Sequence, residues 1–287
     1  MAGEAQPDTK RGLALVAVAV LFFSTSPVLV RWGAPLSGWE IAWGRLGTAA
    51  LAVLVLMLLR GERPQLAWRD LPRFVLFGLV TALHFWCYIA SLGYTTVAHS
   101  LTLTYTAPLF VALFSALFLK EPLARRKYLG VLLAVVGVGV MAGFEPEFSS
   151  RMALGDLLAL GSAVAFGFYS VAGRSQRARY PLLTYAFAIY AMAALWLTPL
   201  ALWSHSGGWG LRQTLAVVAL GVFPLGLGHT LYNAALRRTH AAYVNLVATQ
   251  EVTGGVILSA AFLGEVPGPT TILGMLLTLV GIGVVLV

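Results

Sequence analysis

Ten apolar runs follow one another along the chain, at 12–31, 39–59, 72–92, 97–119, 127–144, 154–173, 182–203, 213–235, 241–263 and 270–287. Charged residues, Gly and Pro separate them. Each run comes close to the roughly 20 residues an α-helix needs to cross the hydrocarbon of a bilayer. Ten such spans take up most of the 287 residues. The connections are therefore short, and no room remains for a soluble catalytic or ATP-binding domain.

Composition sharpens this picture. The chain is 59% hydrophobic and 10% charged, with a mean hydropathy of +0.84; soluble domains carry about 25% charged residues. So few charges cannot cover a folded surface in water, and the outer surface is expected to face lipid. The net charge of +8 would suggest nucleic acid in a soluble protein. Here it reads as loop charge that sets orientation, with no nucleic-acid partner. With the N-terminus inside, fifteen of the nineteen Lys and Arg fall on the cytoplasmic side: Lys10, Arg11, Arg60, Arg63, Arg69, Arg73, Lys120, Arg125, Arg126, Lys127, Arg174, Arg177, Arg179, Arg237 and Arg238. Arg31, Arg151 and Arg212 fall outside, with Glu145, Glu147 and Asp156. Both termini are thus expected to be cytoplasmic. Lys10 and Arg11 precede an apolar run with no clear small-residue cleavage site, which predicts a retained first span and not a signal peptide.

Several chemistries are absent. The single Cys87 excludes an internal disulfide and a thiolate metal cluster. Neither Asn233 nor Asn245 begins a glycosylation sequon. There is no G-x-x-x-x-G-K-[ST] loop and no H-E-x-x-H motif. Neither a cofactor nor a metal is expected, and an enzyme is not the expected class.

The chain also repeats itself. At a shift of 144 residues Tyr88 falls on Tyr232, Ala90 on Ala234, Thr95 on Thr239, Glu121 on Glu265, Gly130 on Gly274 and Gly137 on Gly281, without a gap. The first run matches the sixth at a shift of 143, with Gly12 on Gly155 and Arg31 on Arg174. After a tail over 1–11, two five-helix copies follow, at 12–144 and 154–287. Five is odd, so the second copy enters the membrane from the opposite side. The fold class expected is all-α integral membrane, ten transmembrane helices in two inverted five-helix repeats, the architecture of alternating-access carriers.

The residues that carry the repeat also carry a likeness. Leu119-Lys120-Glu121-Pro122-Leu123, followed by Gly130 and Gly137, resembles the hallmark of the EamA family within the drug/metabolite transporter superfamily. Leu263-Gly264-Glu265-Val266, then Gly274 and Gly281, is its weaker echo, without the Pro and Leu. Phe23-Ser24-Thr25-Ser26-Pro27 and Trp43-Gly44-Arg45 resemble the family's opening. The resemblance implies helices 1, 3, 4, 6, 8 and 9 around a central cavity, with helices 5 and 10 packed away from it.

Ionisable groups inside a membrane are costly and mark candidate sites. Glu251 stands near the middle of the ninth span, beside Asn245 and Gln250, and its repeat mate is Ala107. It either exchanges a proton, meets a substrate ammonium, or is a structural carboxyl. His84 and Tyr88 share a helical face, as do His229 and Tyr232; both pairs are expected to point into one cavity, with Trp86 and Cys87 directed elsewhere. Arg45 either takes a substrate carboxylate as a fork or acts as a clamp or snorkels outward. Ser100, Thr102, Thr104, Tyr105 and Thr106 precede Pro108, an interruption of the kind that lines transporter sites. Phe23, Tyr105, Phe168 and Tyr169 are candidate aromatic walls. Trp203 and Trp209 read as interface-belt residues.

The expected function is a carrier in a bacterial inner membrane for a small solute, an amino acid or related amphipathic compound moved outward, with protons as a candidate coupling ion and a monomer or homodimer as the working unit. Uptake of a vitamin or quaternary amine is the alternative, and a lipid flippase or accessory subunit lies further off.

Overall fold

The computed structural model describes residues 9–119, 127–143, 149–176, 179–239, 244 and 247–286. Residues 120–123 of the first family motif, Glu145, Glu147 and Asn245 lie outside the described residues. Among the described residues the chain is helical and has no strand.

Helices α1 (Thr9–Ser24) and α2 (Ser26–Trp32) make one apolar stretch interrupted at Thr25. Pro27 follows within the first turn of α2, where a missing N–H costs least. Next come α3 (Gly38–Leu59), a 3₁₀ turn (Trp68–Asp70) and α4 (Leu71–Ser91). A second interrupted stretch joins α5 (Val97–Thr104) to α6 (Ala107–Leu119), with Pro108 just past the break. Helices α7 (Lys127–Gly143), α8 (Ser150–Gln176) and α9 (Leu182–Trp203) follow. Helix α10 (Leu211–Leu220) continues through a π-helical segment (Gly221–His229), which contains Pro224, into α11 (Thr230–Leu236). Helices α12 (Gln250–Leu263) and α13 (Pro269–Leu286) close the chain.

Among the described residues, six stretches are long and apolar enough to cross a membrane: Thr9–Trp32, Gly38–Leu59, Trp68–Ser91, Ser150–Ala172, Leu182–Trp203 and Leu211–Leu236. Their outward faces are apolar, with Leu59 80% and Trp203 82% exposed. Water is a poor solvent for such a surface, and lipid is the natural one.

The two ends of the bundle are stitched by polar contacts. At one end Glu40 is buried within a capping box with Ser37 at the start of α3. Its carboxylate also accepts hydrogen bonds from Trp209 Nε1 at 2.8 Å and the Ser206 amide at 3.3 Å, beside His205 Nδ1 at 3.2 Å. Trp209 is thus a half-buried indole donor at this end of the bundle. At the same end Arg31 pairs with Glu265 at 2.9 Å and donates to the Thr95 carbonyl. Glu265 in turn accepts from the Val97 amide. Thr95 and His99 meet Asp156 of α8, and Arg151 donates to the Gly93 carbonyl. At the other end Arg179 donates to Asp70 at 2.6 Å, and Arg237 to the Tyr180 carbonyl.

Close approaches recur at repeat-related positions. A Cβ on Gly12 would meet Thr239 Cγ2 at 2.8 Å, and one on Gly155 would meet Thr95 Cβ at 2.7 Å. Helices α7 and α13 pack along their length. There Gly137 abuts Thr278 and Gly274, while Gly281 abuts Ala134 and Gly130. In each case the partners exchange under the 143–144-residue shift. Small residues let backbones meet closely inside a membrane bundle.

Gly137→Leu and Gly281→Leu are each expected to lower stability in detergent by roughly 1–3 kcal/mol through overpacking. Gly139→Leu, which faces open space, is the matched control and shifts the melting midpoint little.

Candidate functional site

Both Tyr105 and Thr249 sit where a helix is interrupted, and the repeat shift of 144 residues places one on the other. At the first, α5 ends and α6 begins with Ala107 and Pro108, and Pro108 has no amide to continue the ladder. At the second, Thr249 precedes α12 and places Glu251 in its first turn. A carboxylate there is favoured by the helix dipole. The two breaks meet: the Tyr105 hydroxyl donates a hydrogen bond to the Glu251 carboxylate.

Around this contact lies a cavity with about 600 Å³ of empty space, its mouth included. From α1 comes Phe23; from α3, Arg45; from α4, His84, Phe85 and Tyr88. The α5–α6 break adds Thr104, Tyr105, Ala107 and Pro108, and α8 adds Phe166. His229 and Tyr232 enter at the end of the π segment and the start of α11, and Ala248 and Glu251 complete the wall.

The aromatic rings form a connected lining. Phe23 stands 4.7 Å from His229 and 6.4 Å from Tyr232, and Phe166 stands 6.1 Å from Tyr232. His84 packs between Phe85 and Phe166 at 4.6 and 4.9 Å. Its Nδ1 lies 3.1 Å from the Ser162 carbonyl and 2.9 Å from the Ser162 hydroxyl. Donation to that carbonyl orients the ring and leaves Nε2 as its free acceptor in the neutral form. His229 Nδ1, the Thr104 hydroxyl and the Tyr88 hydroxyl are buried without a hydrogen-bond partner.

Arg45 is 2% exposed. Its guanidinium donates to the Ser26 hydroxyl at 3.1 Å and lies 4.6 Å over the Phe85 ring, a cation–π contact, while its Nε has no partner. An outward snorkel is therefore overturned: the side chain turns into the bundle because Ser26 and Phe85 receive it there.

Eight of the sequence candidates thus share one cavity: Phe23, Arg45, His84, Tyr88, Tyr105, His229, Tyr232 and Glu251. Phe168 does not. It packs on Phe114 and Phe118 of α6, since two residues along a helix turn a side chain about 200° from Phe166. Tyr169 stands behind the wall, 5.7 Å from Phe166, with its hydroxyl accepting from Asn233. Gln250 is exposed, a 100° step from Glu251. Phe85 and Phe166 were not among the candidates; their only sequence signal is adjacency to His84 and the helical spacing to Tyr169. Trp86 stacks on Trp39 at 3.9 Å and Cys87 faces Gly161, both away from the cavity as expected.

The profile of the EamA-like transporter family matches residues 10–143 and again 153–287. The chain belongs to this family. Among its relatives, the pseudopaline exporter CntI of Pseudomonas aeruginosa is 30% identical over 282 residues, 94% of each chain. A probable terminal-alkyne amino-acid exporter of Streptantibioticus cattleyicolor is 28% identical over 279 residues, 94% of this chain and 91% of its own. A solved crystal structure, 21% identical, superposes over 96% of both chains with a TM-score of 0.71, and so shares the fold. This EamA-like transporter is a multi-pass membrane protein. Its fifth and tenth apolar runs, α7 and α13, pack on each other and line no part of the cavity. Its second run contributes Arg45, beyond the six helices the family resemblance implies.

Tyr105→Phe removes the hydroxyl that meets Glu251. Stability in detergent is expected to fall by roughly 1–3 kcal/mol, the cost of leaving a buried acceptor without its hydrogen bond. The thermal unfolding midpoint of the variant beside that of the unsubstituted protein checks this.

Proposed function

We propose that the chain is a secondary carrier that exports a small amphipathic metabolite, an amino acid or a close chemical relative, across a bacterial inner membrane by alternating access. One observation carries the reading. Interrupted helices at corresponding positions of two sequence copies meet at a cavity containing a buried carboxylate and a buried guanidinium. Unwound backbone at the meeting of two repeats is where carriers bind their solutes. Relatives named as exporters of pseudopaline and of an amino acid favour outward movement of a compound of that size.

In this reading the ten apolar runs form two five-helix copies inserted in opposite senses. The gapless offset and the reciprocal contacts of Gly12 with Thr239 and Gly155 with Thr95 support it. Both termini are cytoplasmic, the Asp70–Arg179 end faces the cytoplasm, and the end holding Arg31, Glu40, Arg151 and Glu265 faces outward. The solute binds among Tyr88, Tyr105 and Tyr232, with Glu251 and the two histidines setting charge. Rocking of one copy against the other opens the cavity to each side in turn. Glu251 takes up a proton when the solute leaves, so a proton gradient drives transport. One chain holds a whole cavity, and a monomer suffices.

In a Cys87→Ser background, Glu62→Cys and Ser206→Cys occupy positions 144 residues apart in exposed connections. Impermeant thiol reagents applied to whole cells are expected to label position 206 and not position 62; labelling both from one side ends the inverted-repeat reading. In proteoliposomes loaded with candidate amino acids, Glu251→Gln is expected to abolish gradient-driven transport. Undiminished coupling would remove Glu251 from the mechanism.

A further inference from the structure

Two ionisable side chains, Arg45 and Glu251, line the cavity and do not pair with each other. Arg45 is fully enclosed, held by one serine hydroxyl and one aromatic face, with its Nε unpaired. Glu251 is 8% exposed and meets Tyr105. Among the described residues Arg45 forms no ion pair, with Glu251 or any other carboxylate, although the two lie within electrostatic reach of one another. Removing either charge from water costs free energy that only a partner returns. A structural clamp would have closed this pair directly, as Arg31 and Glu265 do at 2.9 Å. Instead both line one cavity, with Tyr88, which interacts electrostatically with each, on the same wall.

We infer that the cavity is a receptor for a zwitterion: Arg45 takes the carboxylate of the solute, Glu251 takes its ammonium, and the aromatic rings take the apolar body. The guanidinium fork suits a carboxylate, which it can grip through two parallel hydrogen bonds. Phe85, its ring centroid 4.6 Å from the guanidinium carbon, gives that fork an aromatic face to rest on. The inference rests on the carrier reading and adds to it a rule of selection. A solute with only one of the two charges leaves the other pole of the cavity uncompensated. An amine, an ester or a free acid of the same body is therefore rejected.

The experiment is binding to purified protein in detergent, read by thermal shift and calorimetry. The probes are L-leucine, L-methionine and L-phenylalanine, each beside the amine that lacks its carboxylate and the acid that lacks its ammonium. At least one of the three zwitterions is expected to bind at least tenfold more tightly than both of its partners. Glu251→Gln is expected to collapse the preference of that zwitterion over its acid, and Arg45→Gln its preference over its amine. If Arg45→Gln does not fold, Glu251→Gln alone decides. An acid that binds as tightly as its zwitterion would reduce Glu251 to a proton site and overturn the inference. So would an amine that does the same, or a panel in which no zwitterion binds. Zwitterion-selective binding without transport in liposomes would sink the carrier reading and leave the receptor standing.

Discussion

Hydrocarbon offers no partner to a polar group, so a bundle in a bilayer must supply partners from within. This chain meets that demand in two different ways. At its ends the acids are surrounded: Glu40 gathers amide and indole donors, Asp70 holds Arg179, Asp156 meets Thr95 and His99, and Glu265 pairs with Arg31. In its middle the shells are left incomplete. Arg45 has an unpaired Nε, His229 an unpaired Nδ1, and Glu251 meets a lone tyrosine donor. Satisfied groups fasten helices together, whereas unsatisfied ones around a cavity define what is able to fill it.

The helix breaks belong to the same logic. A carbonyl freed at Tyr105 or Thr249 would be intolerable against lipid, and it is acceptable beside a polar cavity. Pro27, Pro108 and Pro224 mark three interrupted or widened stretches, and each stretch contributes to the cavity wall. Helices α7 and α13, which contribute nothing to it, are joined through small residues.

How far the sequence could be read depended on contrast. Apolar runs between charges marked the spans, because a charge stands out sharply in a lipid-facing helix. Arg45, His84, His229 and Glu251 stood out for the same reason, and the tyrosines followed from their helical spacing to the histidines and from the repeat. Aromatic residues had no such contrast. A phenylalanine facing lipid and one facing a cavity look alike when every face of the helix is apolar, so the sequence does not separate Phe168 from Phe166, which lines the wall, or single out Phe85. Gln250 has polarity alone to recommend it, and its neighbour Glu251 already occupies the inward face. Nothing near Trp209 in the chain announces that its indole donates to Glu40, 169 residues away. The π segment at Gly221–His229 had its ingredients in view, Pro224 among three glycines, but the way a helix widens there depends on α1 and α3 packing against it.

Ala107 and Glu251 occupy matching places in the two copies, and both line the cavity. Under the inverted-repeat reading a perfectly symmetric lining would make the inward-facing and outward-facing forms mirror one another in energy. A lone carboxylate on one copy abolishes that degeneracy. The empty protein then rests unevenly between its two forms, and whatever neutralises the carboxylate resets the balance. The resting form of the empty protein is in this way set by a methyl group standing opposite an acid.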